Sequence, residues 1–419
     1  MAKNDEALAP SREDEHAVRL LMRMMAIPGR SGQEGRITEF LRKELVRAGA
    51  QAEWMQHDRA HTKSPHGGEV GNLVLKLPGT VAGPRRLLLA HCDTVPICVG
   101  SKPTREGNRI YSVNPASGLG ADDRTGSAVL LLTARRILKR GLPHPPLTFL
   151  WTVQEETGLS GVRNLKTSLL GRPALAFNFD GGPADKLTIG ATGACRLNIQ
   201  VRGVPSHAGM APELGVSAIA IASLAIAELH AGGWHGLVEK DGKSGTSNIG
   251  VIRGGEATNV VTDLVTIRAE ARSHDSRFRE RISGEIERAF ERAVKAVQSA
   301  EGRQGEVSIE THGDYEAFQL PMDDPSVAAA AEAIRAEGHE PNYAIANGGL
   351  DANWMTAHGF PCVTLGCGQK NIHTVNEEVE LGHFHLARRL ALRLATHAEE
   401  SRDKRRGTRA GKAKTLAKS

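Results

Sequence analysis

The chain has 419 residues, 40% of them hydrophobic and 24% charged, an ordinary globular balance with length enough for two domains, each able to bury a core. The formal net charge of +5 is misleading: residues 402–419 hold eight Lys or Arg against one Asp, a balance of +7 that leaves −2 on the remainder. A slightly acidic body with a basic, solvated tail argues against nucleic acid as a partner, because no interleaved aromatics or groove-reading motif accompanies the basic run. No run of about 18 apolar residues exists, so no membrane span is expected. The first fifteen residues lack the apolar core of a secretory signal, which makes a cytoplasmic protein the expectation. The five cysteines fit neither a disulfide framework nor a zinc-ribbon spacing, and are read as buried free thiols.

In chain order, Ser31 and Glu34 stand at capping-box spacing, with Ile37, Leu41, Leu45 and Ala48 on one helical face and Gly49 as the stop. Short apolar runs at residues 73–77, 87–90, 147–153 and 174–179 read as buried strands, and a helix over 125–140 separates the second from the third. This alternation predicts an α/β fold: a mostly parallel sheet with helices on both faces. Near Ala194 the pattern changes. Strands at 195–201, 247–253, 264–271 and 307–311, with helices at 216–230 and 278–297, give a β-α-β-β-α-β order, the ferredoxin-like split motif. The predicted organisation is one α/β domain in two parts, residues 1–193 and 317–401, with a second domain of residues 194–316 inserted between them and a disordered tail over 402–419. A helix at 326–336 and an apolar run at 363–365 complete the second part.

Ligands gather beyond the carboxyl ends of parallel strands. Here the run at 87–90 leads into His91 and Asp93, and that at 147–153 into Glu155 and Glu156. The run at 174–179 leads into Asp180, and that at 363–365 into a loop with His373. Between the first two lies Gly118-Leu-Gly-Ala-Asp-Asp-Arg-Thr-Gly126, carrying Asp122 and Asp123. One strand ending in an acid means little; four such ends on one sheet edge pool a charge-dense site. His and carboxylate mixtures suit zinc, and also manganese or cobalt. Five ligands exceed what one zinc needs and match two ions sharing a carboxylate. His383 and His385 fall at the start of a helix, where residues two apart diverge, and are read as non-ligands.

These motifs resemble the dinuclear-zinc exopeptidase and deacylase family, which includes peptidase T, acetylornithine deacetylase, succinyl-diaminopimelate desuccinylase, glutamate carboxypeptidase and aminoacylase. His91-Cys-Asp-Thr-Val-Pro96 is similar to the first metal motif, Gly120-Ala-Asp-Asp-Arg-Thr-Gly126 to the second, and Glu155-Glu156, Asp180 and His373 follow in order. The resemblance implies that His91 and Asp180 bind one metal, Glu156 and His373 the other, and Asp122 both. Arg124 stands where the family has Lys, and the neighbouring Asp123 leaves a second candidate for the bridge. Asp93 would orient His91, and Glu155 would act as general base toward a hydroxide bridging the metals. Substrate contacts are implied for His207 in Pro205-Ser-His-Ala-Gly209, for Asn259 in Thr258-Asn-Val-Val261, for Arg272 and for Gly348-Gly349. The layout is closest to the peptidase T-like branch, so the expected activity is amide hydrolysis in a short peptide, by an aminopeptidase or tripeptidase. The alternatives are a deacylase or carboxypeptidase acting on an N-acyl amino acid, and a metal-binding protein without catalysis, against which the intact Glu155 argues. The inserted domain of residues 194–316 resembles the family's lid, adjoining a catalytic domain of residues 1–193 and 317–401, and a homodimer through it is also implied.

Overall fold

The computed structural model describes residues 11–396. Expectations about the tail beyond 402 fall outside them. A nine-stranded sheet runs in the order Met55–His57, Leu73–Leu77, Leu147–Thr152, Arg86–His91, Leu175–Phe179, Cys362–Leu365, Lys186–Ala191, Phe318–Gln319, with Asn342–Ala346 also paired to Lys186–Ala191. Its four middle strands are parallel: Arg86–His91 lies between Leu147–Thr152 and Leu175–Phe179, and Cys362–Leu365 follows in the same sense. Every residue of these four is buried, as expected for a sheet covered on both faces. One face packs on a large core that includes Leu21, Leu41, Phe149, Trp151 and Leu390, the other on a smaller one with Leu87, Leu150, Val162 and Met355.

Helix Ala121–Arg140 crosses the larger core and is anchored to Arg86–His91 by Ser127 Oγ, which donates to the His91 carbonyl at 2.7 Å. Its first turn is irregular: Asp122 and Asp123 are non-helical and are joined by a cis peptide bond. Regular helix therefore begins at Arg124, close to the start expected from the sequence.

Residues 193–315 build a second sheet, Gly236–Lys240, Lys243–Gly254, Leu264–Ser273, Gly193–Arg202, Glu306–Tyr315, entirely antiparallel. Helices Ala218–Ala231 and Ser276–Ala296 cover one face and share an apolar core with it. The second helix is capped by Asp275, whose Oδ1 accepts from Phe278 N at 2.9 Å, and buries Phe278, Ile282, Ile286, Ala289 and Ala293 along one stripe. The split motif gains one strand over the expected six elements: Gly236–Lys240 buries only Val238, so its sequence carries no strand pattern. A four-stranded sheet of Pro103–Glu106, Arg109–Ser112, Gln369–Lys370 and Glu378–Glu380 was likewise unforeseen. No described helix is long and apolar enough to cross a membrane.

The capping box expected at Ser31 and Glu34 does not form. Helix Gly35–Arg47 has Glu34 itself at its N-cap with no side-chain cap bond. Ser31 Oγ donates instead to Asp93 Oδ2 at 2.7 Å, and the fully buried Glu34 carboxylate accepts from Gly32 N and Gln154 N. The spacing was read correctly as helix-initiating, but both side chains are diverted toward the strand ends.

Candidate metal centre

The parallel strands deliver their carboxyl ends to one place. His91 closes Arg86–His91; Glu155 and Glu156 follow Leu147–Thr152; Asp180 follows Leu175–Phe179. Two donor groups result. Ligand atoms of His91, Asp122 and Asp180 lie within 4.8 Å of one another, and so do those of Asp122, Glu156 and His373. Asp122 is common to both: its Oδ1 is 3.1 Å from His91 Nε2, and its Oδ2 is 3.2 Å from His373 Nε2. His373 Nε2 lies 3.0 Å from Glu156 Oε1. Asp123 belongs to neither group: its Oδ1 accepts from Gly126 N at 2.8 Å and Gln369 Nε2 at 2.9 Å, and its buried Oδ2 has no hydrogen-bond partner among the described residues.

Asp93, fully buried, ties three segments together. It accepts from Ser31 Oγ, from Glu155 N at 3.1 Å and from Glu156 N at 3.2 Å, and stands 3.5 Å from His91 Nδ1. One carboxylate thus fixes the turn that carries the two glutamates, while His91 Nδ1 beside it makes no hydrogen bond among the described residues. Glu377 does the same for the opposite loop, accepting from Leu119 N, Gly120 N and Asp122 N at 2.8, 2.6 and 3.0 Å. Glu155 is half-buried, and no described residue hydrogen-bonds its carboxylate.

The family model described as Peptidase family M20/M25/M40 matches residues 87–397. The chain belongs to this family. It resembles a tripeptidase from Staphylococcus aureus subsp. aureus Mu50, with a TM-score of 0.81, 29% identity, and coverage of 91% of this chain and 98% of that one. It also resembles the aminopeptidase PepT from Bacillus cereus ATCC 10987, with a TM-score of 0.77, 31% identity and the same coverage. The uncharacterized protein YqjE of Bacillus subtilis strain 168 is 30% identical over 361 residues, 86% of this chain and 92% of that one. Family and neighbours together make this chain a hydrolytic enzyme with the fold of these peptidases.

The other expected residues are distributed less compactly. Arg272 lies on Leu264–Ser273, but its fork is already engaged, Nε and Nη2 each donating to Glu270 at 3.0 Å. Gly349 backs onto Tyr315: a Cβ there would come within 2.6 Å of the phenol oxygen, so a larger residue would require the Tyr315 ring to move; the neighbouring Gly348 has open space. His207 and Asn259 share an exposed loop pair, with Ala208 N donating to the Asn259 carbonyl and His207 Nδ1 accepting from Gly209 N and Met210 N. Among the described residues, none of these bonds reaches the metal groups. His383 and His385 do open helix Leu381–Thr396; His383 Nδ1 accepts from Ala184 N, and His385 lies beside Asp14. All five cysteines are buried and free. Glu34, Asp351, Tyr315 and Glu377 were missed. Asp351 is fully buried, bonded through one oxygen to Thr152, with the other oxygen unpaired.

The donor chemistry fits divalent cations. Asp93, Asp122, Asp123, Asp180, Asp351 and Glu34 are all buried here, while the nearby buried cation Arg124 is spent partly on the carbonyls of Ile27 and Gly29. Burial, with repulsion from Asp122, pushes Asp180 up to about 8. Burial, with repulsion from Asp93, does the same to Glu34. His373 is raised to about 10 by its contacts with Asp122 and Glu156. These folded values exceed the unfolded ones of about 4 for carboxylates and 6.5 for histidine. Stability from such groups is complete below the unfolded values and is lost as pH rises through the folded ones. The chelated protein should therefore lose stability as pH rises from about 4 to about 8 through Asp180 and Glu34, and from about 6.5 to about 10 through His373, where bound cations would offset the carboxylate charge. The melting-temperature gap between metal-loaded and chelated protein should widen over these intervals toward about 5–10 °C. Differential scanning calorimetry at four pH values tests this, and a gap that shrinks with pH would contradict it.

Proposed function

We propose that this chain is a dinuclear metallopeptidase that hydrolyses the amide bond of a peptide two or three residues long, as an aminopeptidase or tripeptidase. The observation that carries this reading is the pair of donor groups joined through Asp122, with the unengaged carboxylate of Glu155 beside them. His91 and Asp180 would hold one ion, Glu156 and His373 the other, with Asp122 shared; zinc suits the set, as do cobalt and manganese. Such ions supply Lewis acidity toward water and the scissile carbonyl.

The chain's own residues do the rest. Glu155 accepts the proton of the attacking water and delivers it to the leaving amine. Burial raises its affinity for protons, as does repulsion from Glu156, Asp351 and Asp180, with His91 opposing. That environment suits a group which must hold a proton between two steps. Asp93 keeps the Glu155–Glu156 turn in register beside His91. Gly348 and Gly349 present backbone to the substrate's polar end. The unit of residues 194–316 acts as a lid, and His207 and Asn259 meet substrate when it closes or pairs with a second copy. Leu224 and Leu237, exposed on that unit, offer apolar area for a homodimer.

Supporting the peptide rather than the N-acyl substrate is the likeness to the tripeptidase and the aminopeptidase. A zinc- or cobalt-loaded enzyme should cleave members of a tripeptide panel and leave N-acetyl amino acids essentially untouched. The reverse preference would reassign it as a deacylase or carboxypeptidase, and no turnover on either panel would remove the hydrolytic assignment. Arg272 offers a finer test. If it binds a substrate carboxylate it must first leave Glu270. Glu270→Gln should then lower KM, and Arg272→Lys should raise it about tenfold through loss of the fork. Equal KM in all three proteins would remove Arg272 from the substrate site.

A further inference from the structure

A second cleft lies away from the metal groups, between helices Arg12–Met25, Ala121–Arg140 and Leu381–Thr396. It encloses about 580 Å³, the size of a small-molecule site. Helix Ala121–Arg140 begins at the metal centre and ends here. At 1.5 Å per residue, Lys139 is roughly 25 Å from Asp122.

The charge of the cleft is one-sided. Seven Arg or Lys side chains line it against two carboxylates, Glu13 and Asp14. Glu44 and Glu337, reaching Arg135 and Arg389, raise the acids only to four. Among the described residues, Arg12, Lys139 and Arg140 make no ion pair, and the buried Nε–H of Arg388 has no acceptor. Lys139 and Arg140 sit at a helix C-terminus, where the macrodipole favours cations. That accounts for two of the seven. Arg12 sits at a helix N-terminus, where the dipole opposes it. Residues 135, 136, 139 and 140 also fall at i, i+4 spacings, which stack like charges on one helical face at a cost. The resulting field is felt by the two histidines of the cleft. His16 is held below its usual value by burial and by Arg135, Arg19 and Lys139, and His385 by burial and by Arg388. Leu132 and Leu392 add an apolar patch.

Like charges gathered at such cost around a cavity fit an anion with an organic body. We propose that this cleft binds a phosphate-bearing small molecule of nucleoside diphosphate size. Its phosphates would meet Arg12, Lys139 and Arg140, and its ring would lie on Leu132 and Leu392.

Isothermal titration of the full-length, metal-loaded enzyme tests this, with ADP in excess magnesium, inorganic phosphate and adenosine as probes. One ADP per chain should bind, phosphate more weakly and adenosine not at all. The double variant Lys139→Gln/Arg140→Gln changes two exposed side chains and should fold normally. It should lose at least about tenfold in ADP affinity, the worth of one charge-assisted hydrogen bond, with peptide hydrolysis in the absence of ADP unchanged. Arg12→Gln should weaken ADP in the same sense. Absence of ADP binding would overturn the proposal, and so would binding equal in both variants and the parent, because the phosphates would then be on the metals. Adenosine binding as tightly as ADP would overturn the phosphate chemistry.

Discussion

Glu155→Gln should lower kcat by about 10²–10⁴, some 3–5 kcal/mol of barrier, while both metals stay bound. Glutamine keeps the length and packing of the side chain and removes its ability to take up and release a proton. The backbone N–H groups of Glu155 and Glu156 hold the turn through Asp93, so the substitution leaves the turn in place. KM should change little, because the lost function belongs to the transition state. Glu156→Gln is the informative neighbour. Its carboxylate stands 3.0 Å from His373, so its loss should weaken one metal site, and added zinc should recover part of the activity. Metal analysis and kcat of both variants, with and without added zinc, decide the matter. Loss of metal from Glu155→Gln with retention by Glu156→Gln would exchange the two roles.

Asp122→Asn should have a still larger effect. Asp122 is the carboxylate common to both donor groups, so one substitution acts on two ions. Bound metal should fall from two per chain to at most one, and kcat/KM by at least about 10³, given the several kcal/mol that metal charge contributes to such transition states. Asp123→Asn is the control. Asp123 lies outside both donor groups and its Oδ1 is bonded to Gly126 N and Gln369, so metal content should hold at two. Should Asp123→Asn lose both metals while Asp122→Asn keeps them, the bridge belongs to Asp123 and the proposed ligand set fails.

Much of this arrangement was legible in the sequence, for a specific reason. Parallel strands buried on both faces read as unbroken apolar runs, and the residues just past their ends are where function collects. Leu87 to Ala90 and Leu175 to Phe179 announce themselves, and His91 and Asp180 follow at once. The unread residues act across long sequence separations with no local pattern. Glu377 bonds Asp122 N over 255 positions, and Asp351 bonds Thr152 over 199. Glu34 did carry a local pattern, but it is one that a helix cap and a buried ligand of backbone amides share. His207 and Asn259 were recognisable by motif, yet their distance from the metals depends on how the 193–315 unit meets the sheet, which no local spacing encodes. Strand Gly236–Lys240 escaped because an exposed edge strand with a single buried side chain lacks alternation.

The loop bearing Asp122 is bolted to Glu377, four residues past His373, with the whole 193–315 unit intervening along the chain. A growing chain that has released His91, Asp122, Glu156 and Asp180 still lacks the fourth middle strand, His373 and the Glu377 carboxylate that holds the Asp122 loop. On the proposed ligand set, a fragment ending before these residues would lack one member of the second donor group and the anchor of the residue common to both, and it is expected to be inert toward peptides.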